Sequence, residues 1–343
     1  MIKLKLSISR SASIPAAFVG VTVRLFFDLA LDGGTIHNGA WIAALLGTLP
    51  SIPYLLCLDA VRSHRSAATP LRLMLLSVTA LDAAHVLFIV VRAAGCLTLD
   101  HVPARYLALP LALTVLWCVW RNGDAVGYAS ILWIRVFPAL LLLVVALQMR
   151  HYNARWLLPL LGSGFGDIVR GGLRTSGWFI PATAIYFCAD PLDDNSGRQP
   201  SVARLFFAPA VAALLLVLRL MMAPTGVYEL TWVARLDALL TNGRAALYLQ
   251  LPMILAFFIS AFHLLACEGF AASELLQQLV PALDGRACAT IVTVACTLLC
   301  MSGFTVAAME FAAPWFFVAV AATVALTALL QRDKRGGERP CAE

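Results

Sequence analysis

The chain has 343 residues, of which 61% are hydrophobic and only 13% charged, and its mean hydropathy is +0.85. That balance excludes a water-soluble globular domain and calls for an apolar solvent. The formal charge of +6 does not point to nucleic acid, because the basic residues are scattered over loops and span ends and form no stripe interleaved with aromatics.

Apolar runs of the length a bilayer core demands, roughly 20 residues of helix, recur along the whole chain. Stretches such as Leu140 to Leu147 and Ala208 to Leu218 are continuously apolar and lack the alternation of a lipid-facing barrel, so the spans are expected to be helices. In chain order they fall near 8–30, 39–60, 71–93, 104–120, 127–148, 166–189, 202–223, 244–267, 287–304 and 309–330. The basic start resembles that of a signal peptide. Arg24 and Asp28 then follow within the same run with no small-residue cleavage site before them, so a retained first span is expected. One polytopic domain over 1–330, with halves at about 8–148 and 166–330, and a basic tail over 331–343 account for the chain. With the N-terminus inside, Lys and Arg are more numerous on the inner segments than on the outer ones, which predicts a multi-pass membrane protein with both termini in the cytoplasm.

The first and sixth spans differ from the others. The first carries Gly20, Thr22, Arg24 and Asp28 and ends in Asp32-Gly33-Gly34; the sixth runs through Gly162-Ser163-Gly164-Phe165-Gly166, Gly171-Gly172, Gly177 and Pro181. Both are poor continuous helices. Interrupted spans at matching positions of two five-span halves predict an all-α, LeuT-like five-plus-five inverted repeat, with broken first and sixth spans and a ligand held near the midplane. The alternative is that these glycines only permit close helix packing.

Ionisable groups inside spans are costly there, so each is a candidate functional group with a partner to be found. Arg24 and Asp28, four apart on one face, suit an internal ion pair; Arg24 also suits a ligand carboxylate. Asp82 and His85, three apart in the third span, suit either a helix-orienting hydrogen bond or a protonatable pair. In the eighth span Ser260 and His263 are candidates, each with a plain packing role as the alternative. Phe179 and Tyr186 suit pocket walls in the sixth. Arg135, Arg219, Glu268 and Glu310 read as cavity-lining or interfacial charges. The ligand-binding set is therefore Gly20, Thr22, Arg24, Asp82, His85, Phe179, Ser260 and His263.

Catalytic chemistry is not expected: the sequence has no Gly-x-Ser-x-Gly, no His-Glu-x-x-His and no phosphate-cradling loop. Most of the nine cysteines lie inside apolar spans without a Cys-x-x-Cys pair, so they read as small core residues, and neither metal nor cofactor is expected.

Several stretches, in order and across most of the chain, resemble the B subunit of the bacterial spore germinant receptors, a branch of the amino acid–polyamine–organocation permease superfamily. They are Ala40-Trp41-Ile42-Ala43-Ala44-Leu45-Leu46-Gly47; Arg121-Asn122-Gly123 with Arg135-Val136-Phe137-Pro138; Leu158-Pro159-Leu160-Leu161-Gly162 with Ile168-Val169-Arg170-Gly171-Gly172; Thr225-Gly226-Val227-Tyr228; Arg244; and Gln331-Arg332-Asp333-Lys334-Arg335. The chain departs from that family early in the sixth span, where Trp178-Phe179-Ile180-Pro181-Ala182 lacks the usual acid, and at Gly243. The resemblance implies a ten-span permease-like fold in the spore inner membrane that binds a small germinant, commonly an amino acid, and works with A and C subunits. A proton- or cation-coupled amino-acid transporter of the same superfamily and a ligand-free interaction subunit are the rival readings.

Overall fold

Long runs of Leu, Val, Ala, Ile and Phe satisfy their backbone groups internally as helices, the only open-ended solution in hydrocarbon. The computed structural model describes residues 6–31, 37–62, 69–97, 103–121, 123–148, 154–158, 164–189, 202–222, 246–302, 315 and 318–329, and all regular structure among them is helical. In chain order the helices are α1 (Arg10–Leu31), α2 (Ala40–Leu46), α3 (Thr48–Arg62), α4 (Thr69–Leu97), α5 (Ala104–Trp120), α6 (Gly123–Gln148), α7 (Phe165–Gly177), α8 (Phe179–Phe187), α9 (Ala208–Met222), α10 (Ala246–Leu279) and α11 (Gly285–Ser302), followed by α12 (Val318–Leu329). With α2–α3 and α7–α8 each read as one interrupted segment, they follow the expected order of spans. Among the described residues, five segments are long and apolar enough to cross a membrane alone, and three shorter apolar helices accompany them. The basic tail over 331–343 lies outside the described residues.

The outward faces are those of a protein in lipid. Leu109, Leu113 and Trp117 on α5, Tyr128, Leu132 and Val136 on α6, and Ile291, Val294 and Leu298 on α11 are all exposed, at spacings of three or four that make continuous apolar stripes. The inward side belongs to α1, whose Ala16, Ala17, Val19, Val21 and Leu25 are fully buried. It packs against α6, α8, α9 and α10, while α4 lies along α10. This is a multi-pass membrane protein with one span threaded through its centre.

Small residues set two of the closest crossings. A Cβ on Gly47 would stand 2.8 Å from the Gly172 carbonyl oxygen, so the α2–α3 junction lies directly on α7, where the Ser176 hydroxyl donates to the Gly47 carbonyl at 3.1 Å. A Cβ on Gly127 would overlap the Ala12 side chain at 2.2 Å, which brings α6 against α1.

The sixth span is interrupted where its sequence predicts. Pro181 has no N–H to return to Gly177 four residues earlier, and its ring crowds that carbonyl. The helix accordingly gives way at Trp178, whose own N–H closes a tighter bond to the Thr175 carbonyl at 3.1 Å. The first span corrects the expectation: α1 runs unbroken from Arg10 to Leu31, with Pro15 inside its second turn. Its one glycine, Gly20, packs 3.4 to 3.7 Å (from a Cβ position) from Ala182 and Leu264, and Thr22 donates to the Phe18 carbonyl at 2.9 Å in regular helical fashion. A lone glycine and a back-bonding threonine are compatible with a continuous helix. The glycine there serves close packing.

Polar contacts gather at the N-terminal end of α1. The Leu6 amide donates to Gln277 Oε1 of α10 at 3.0 Å and the Ser9 amide to Asp124 Oδ1 of α6 at 3.0 Å. Arg10 lies 3.8 Å from Asp59 of α3, and the Tyr186 hydroxyl of α8 donates to that same carboxylate. At the opposite end of α1, Arg174 of α7 donates to Asp28 at 3.0 Å.

Candidate functional site

Among the described residues, the interior of the bundle holds an ionic cluster assembled from four elements that are far apart in sequence. From α1, Arg24 reaches across to α4, where its Nε donates to Asp82 Oδ1 and Oδ2 at 2.9 and 3.1 Å and its Nη2 stands 2.9 Å from Oδ1. Neither side chain is exposed at all. The same Nη2 donates to His85 Nδ1 at 3.4 Å. The guanidinium lies flat on the Trp178 ring, with Cζ 3.6 Å from its centroid, and His85 meets that ring edge-on at 5.8 Å. From α10, Glu268 lies against Asp82 with Arg24 beside it, and it too is buried.

Local sequence explains this convergence. Asp82 and His85 fall one turn apart on one face of α4, near the middle of a 29-residue helix. Trp178 sits at the point where Gly177 and Pro181 interrupt the sixth span, so its ring projects from the junction. A planar guanidinium on an indole face with a forked carboxylate at its edge is the geometry in which arginine is most favourably desolvated. Four polar atoms of the cluster nevertheless have no hydrogen-bond partner among the described residues: Arg24 Nη1, Trp178 Nε1 and both oxygens of Glu268. A site that buries charge and leaves donors and acceptors unused is suited to receive a small polar molecule.

A second polar group lies between α6 and α10 and is neutral. Ser130 donates to the Val126 carbonyl at 2.9 Å, so His263 Nε2 donates to the Ser130 oxygen at 2.8 Å. Cys267 Sγ lies 3.4 Å from the same nitrogen. Trp133 Nε1 donates to Ser260 Oγ at 2.9 Å, and its ring stacks on Phe137 at 4.1 Å.

The structure thus divides the residues singled out in the sequence. Arg24, Asp82 and His85 come together. Ser260 and His263 face α6 in the second group. Thr22 is spent on the Phe18 carbonyl and lies 3.5 Å from the Ala208 carbonyl oxygen; Gly20 is a packing contact, and Phe179 is fully buried in the core beside Trp178. Tyr186 binds Asp59, away from the Arg24 cluster. The internal pair of Arg24 with Asp28 is replaced by two long-range pairs, Arg24 with Asp82 of α4 and Asp28 with Arg174 of α7. Asp82 and His85 meet through Arg24, not through each other. Thr225 to Tyr228, Arg244 and Glu310 lie outside the described residues. Sequence reasoning missed Trp178 as a site residue and placed Glu268 only as a general cavity charge. The signal for Trp178 was its position between Gly177 and Pro181; for Glu268 it was an acid deep in an otherwise apolar helix.

No family model matches the sequence, and no curated protein matches it. Among solved structures 18 chains match. One is Mhp1, a nucleobase-cation-symport-1 family transporter in a closed conformation with bromovinylhydantoin bound. It is 13% identical, with a TM-score of 0.56 over 94% of this chain and 77% of that one. The likeness establishes a transporter-type, LeuT-like fold.

Proposed function

We propose that this protein binds a small polar molecule inside the membrane, at the junction of α1, α4, the α7–α8 interruption and α10. The observation that carries this reading is the buried Arg24 guanidinium, clamped by Asp82 and Trp178 yet with Nη1 unpartnered among the described residues. Burying such a group is expensive, and structural ion pairs gain little over apolar packing, so a retained arginine with an open donor suits ligand recognition. The solved neighbour's bound hydantoin supports a small-molecule site in a fold of this kind. The protein is not an enzyme in this reading.

In its finer form the proposal is that the chain senses a nutrient as the B subunit of a spore germinant receptor in the spore inner membrane, with A and C partners. The collinear sequence resemblance supports it, and so do polar contacts at both ends of α1, which suit a protein that shifts between closed states on binding. A ligand biases such an equilibrium only by its difference in affinity for the two states. Coupled transport of an amino acid is the alternative, favoured by the symporter character of the solved neighbour.

Deleting and restoring the gene, and scoring spores for loss of refractility against a panel of small nutrients, tests the sensor. Loss of the response to one nutrient class supports it, and normal germination with every nutrient in a strain free of redundant receptors rejects it. Uptake of labelled amino acid by the purified chain in proteoliposomes marks the transporter instead.

A further inference from the structure

Charge in the central cluster does not balance if every group is ionised. The Asp82 carboxylate is taken up by the Arg24 guanidinium, and Glu268 then lies against Asp82 with both its oxygens unpartnered among the described residues. Two carboxylates in contact are both acceptors, so neither satisfies the other; a single proton between them satisfies both. The titratable groups that interact with Glu268 are Asp82 on α4, Arg24 on α1 and Cys296 on α11, with Cys267 beside it on α10. Arg24 is the one fixed cation in that set and is already committed. Toward α11 the neighbours of Asp82 and Glu268 line a cavity of about 20 Å³, with Ala83, Leu87, Leu265, Gly269, Val292 and Cys296 in its wall, room for about one water.

We infer that Glu268 and Asp82 form a proton-binding site in which Glu268 carries the proton and donates it to the Asp82 carboxylate, while Arg24 neutralises the shared negative charge. This deepens the small-molecule reading, because it identifies the coupled ion of the same site, but it makes a claim about the empty protein that stands without any ligand. A proton is favoured over a metal cation on two grounds. The adjacent guanidinium repels a metal cation, and the described His, Cys, Asp and Glu side chains form no group of three that would hold one. A ligand bringing its own positive charge to Glu268 replaces the proton, so binding of that ligand releases one proton to the medium.

The test is infrared spectroscopy of the purified protein in nanodiscs at neutral pH, without ligand, in potassium and in sodium buffers, with Asp284→Asn as the control for an acid outside the spans. The expected result is a carbonyl band of a protonated carboxylic acid that disappears in Glu268→Gln, persists in Asp284→Asn and is the same in both salts. Absence of any such band in wild type overturns the inference, since both carboxylates are then ionised. A band that vanishes in sodium also overturns it, because sodium is then the occupant. Persistence of the band in Glu268→Gln with its loss in Asp82→Asn overturns the placement of the proton on Glu268. A failed search for ligands leaves all of these results standing.

Discussion

Two of the polar groups buried among the described residues share the eighth span and differ in almost everything else. Along α10, Ser260, His263 and Cys267 meet α6 in a chain of donors and acceptors: His263 on Ser130, Ser130 on Val126, Trp133 on Ser260. One residue beyond Cys267, Glu268 belongs to a cluster containing an arginine, a second carboxylate and four polar atoms without hydrogen-bond partners among the described residues. A satisfied neutral network holds two helices in register, whereas an unsatisfied ionic one keeps a cost that only function repays. Burial of polar residues therefore does not by itself mark a site in a membrane bundle; incomplete satisfaction does.

The sharpest test of that contrast removes both acids. Arginine does not lose its proton inside proteins, so in the Asp82→Asn, Glu268→Gln double variant Arg24 is left buried without a counter-charge. A loss of about 3–5 kcal/mol is expected, larger than the two single losses added together, because each single variant keeps a counter-charge for Arg24: Asp82 stays ionised in Glu268→Gln, and Glu268 gives up its proton in Asp82→Asn. Thermal unfolding of the four proteins in nanodiscs reads the coupling, and additive losses would show that Glu268 does not face the same cation. Removing the cation is milder. Arg24→Met leaves two acids that can each take up a proton, so about 1–3 kcal/mol is expected, together with loss of ligand binding. Calorimetry with the ligand identified by germination checks the second part, and retained affinity would remove Arg24 from the site. Trp178→Phe keeps an aromatic face of smaller extent beneath the guanidinium. It is expected to cost about 1–2 kcal/mol in stability and to weaken binding roughly in proportion, by about tenfold per 1.4 kcal/mol.

These predictions also show how far the sequence could be read. Span order was legible because apolar run length is a local property, and α5 begins and ends where its sequence places it, at 104–120. Arg24, Asp82 and His85 were legible as candidates because an ionisable side chain in an apolar run has few explanations. Their pairing was not. Arg24 has Asp28 one turn away on its own helix and chooses Asp82, and that preference depends on where the fold sets α4 relative to α1, which no local pattern encodes. The unbroken first span has a similar cause. Gly20 reads as a hinge when viewed alone and proves to be a contact surface for Ala182 and Leu264, partners from the sixth and eighth spans. Trp178 was hidden because aromatic residues in membrane helices are usually packing residues, and only its place at the interruption sets it apart.

The smallest expected effect falls on the neutral group and bears most directly on the comparison. Ser130→Ala removes a hydroxyl that relays one hydrogen bond from His263 to the Val126 carbonyl. The Val126 carbonyl keeps its place in the helix ladder, so the loss is one side-chain hydrogen bond plus the cost of an unpaired His263 nitrogen. Cys267 Sγ, 3.4 Å from that nitrogen, is a weak acceptor that recovers part of it. About 1 kcal/mol of stability is expected to be lost, with ligand affinity unchanged, because nothing in this group touches Arg24, Asp82 or Trp178. Thermal unfolding and titration calorimetry on one preparation read both quantities. If Ser130→Ala instead lowers affinity while leaving stability intact, the α6–α10 contact changes on binding, and the division into a structural group and a binding group has to be redrawn with His263 on the binding side.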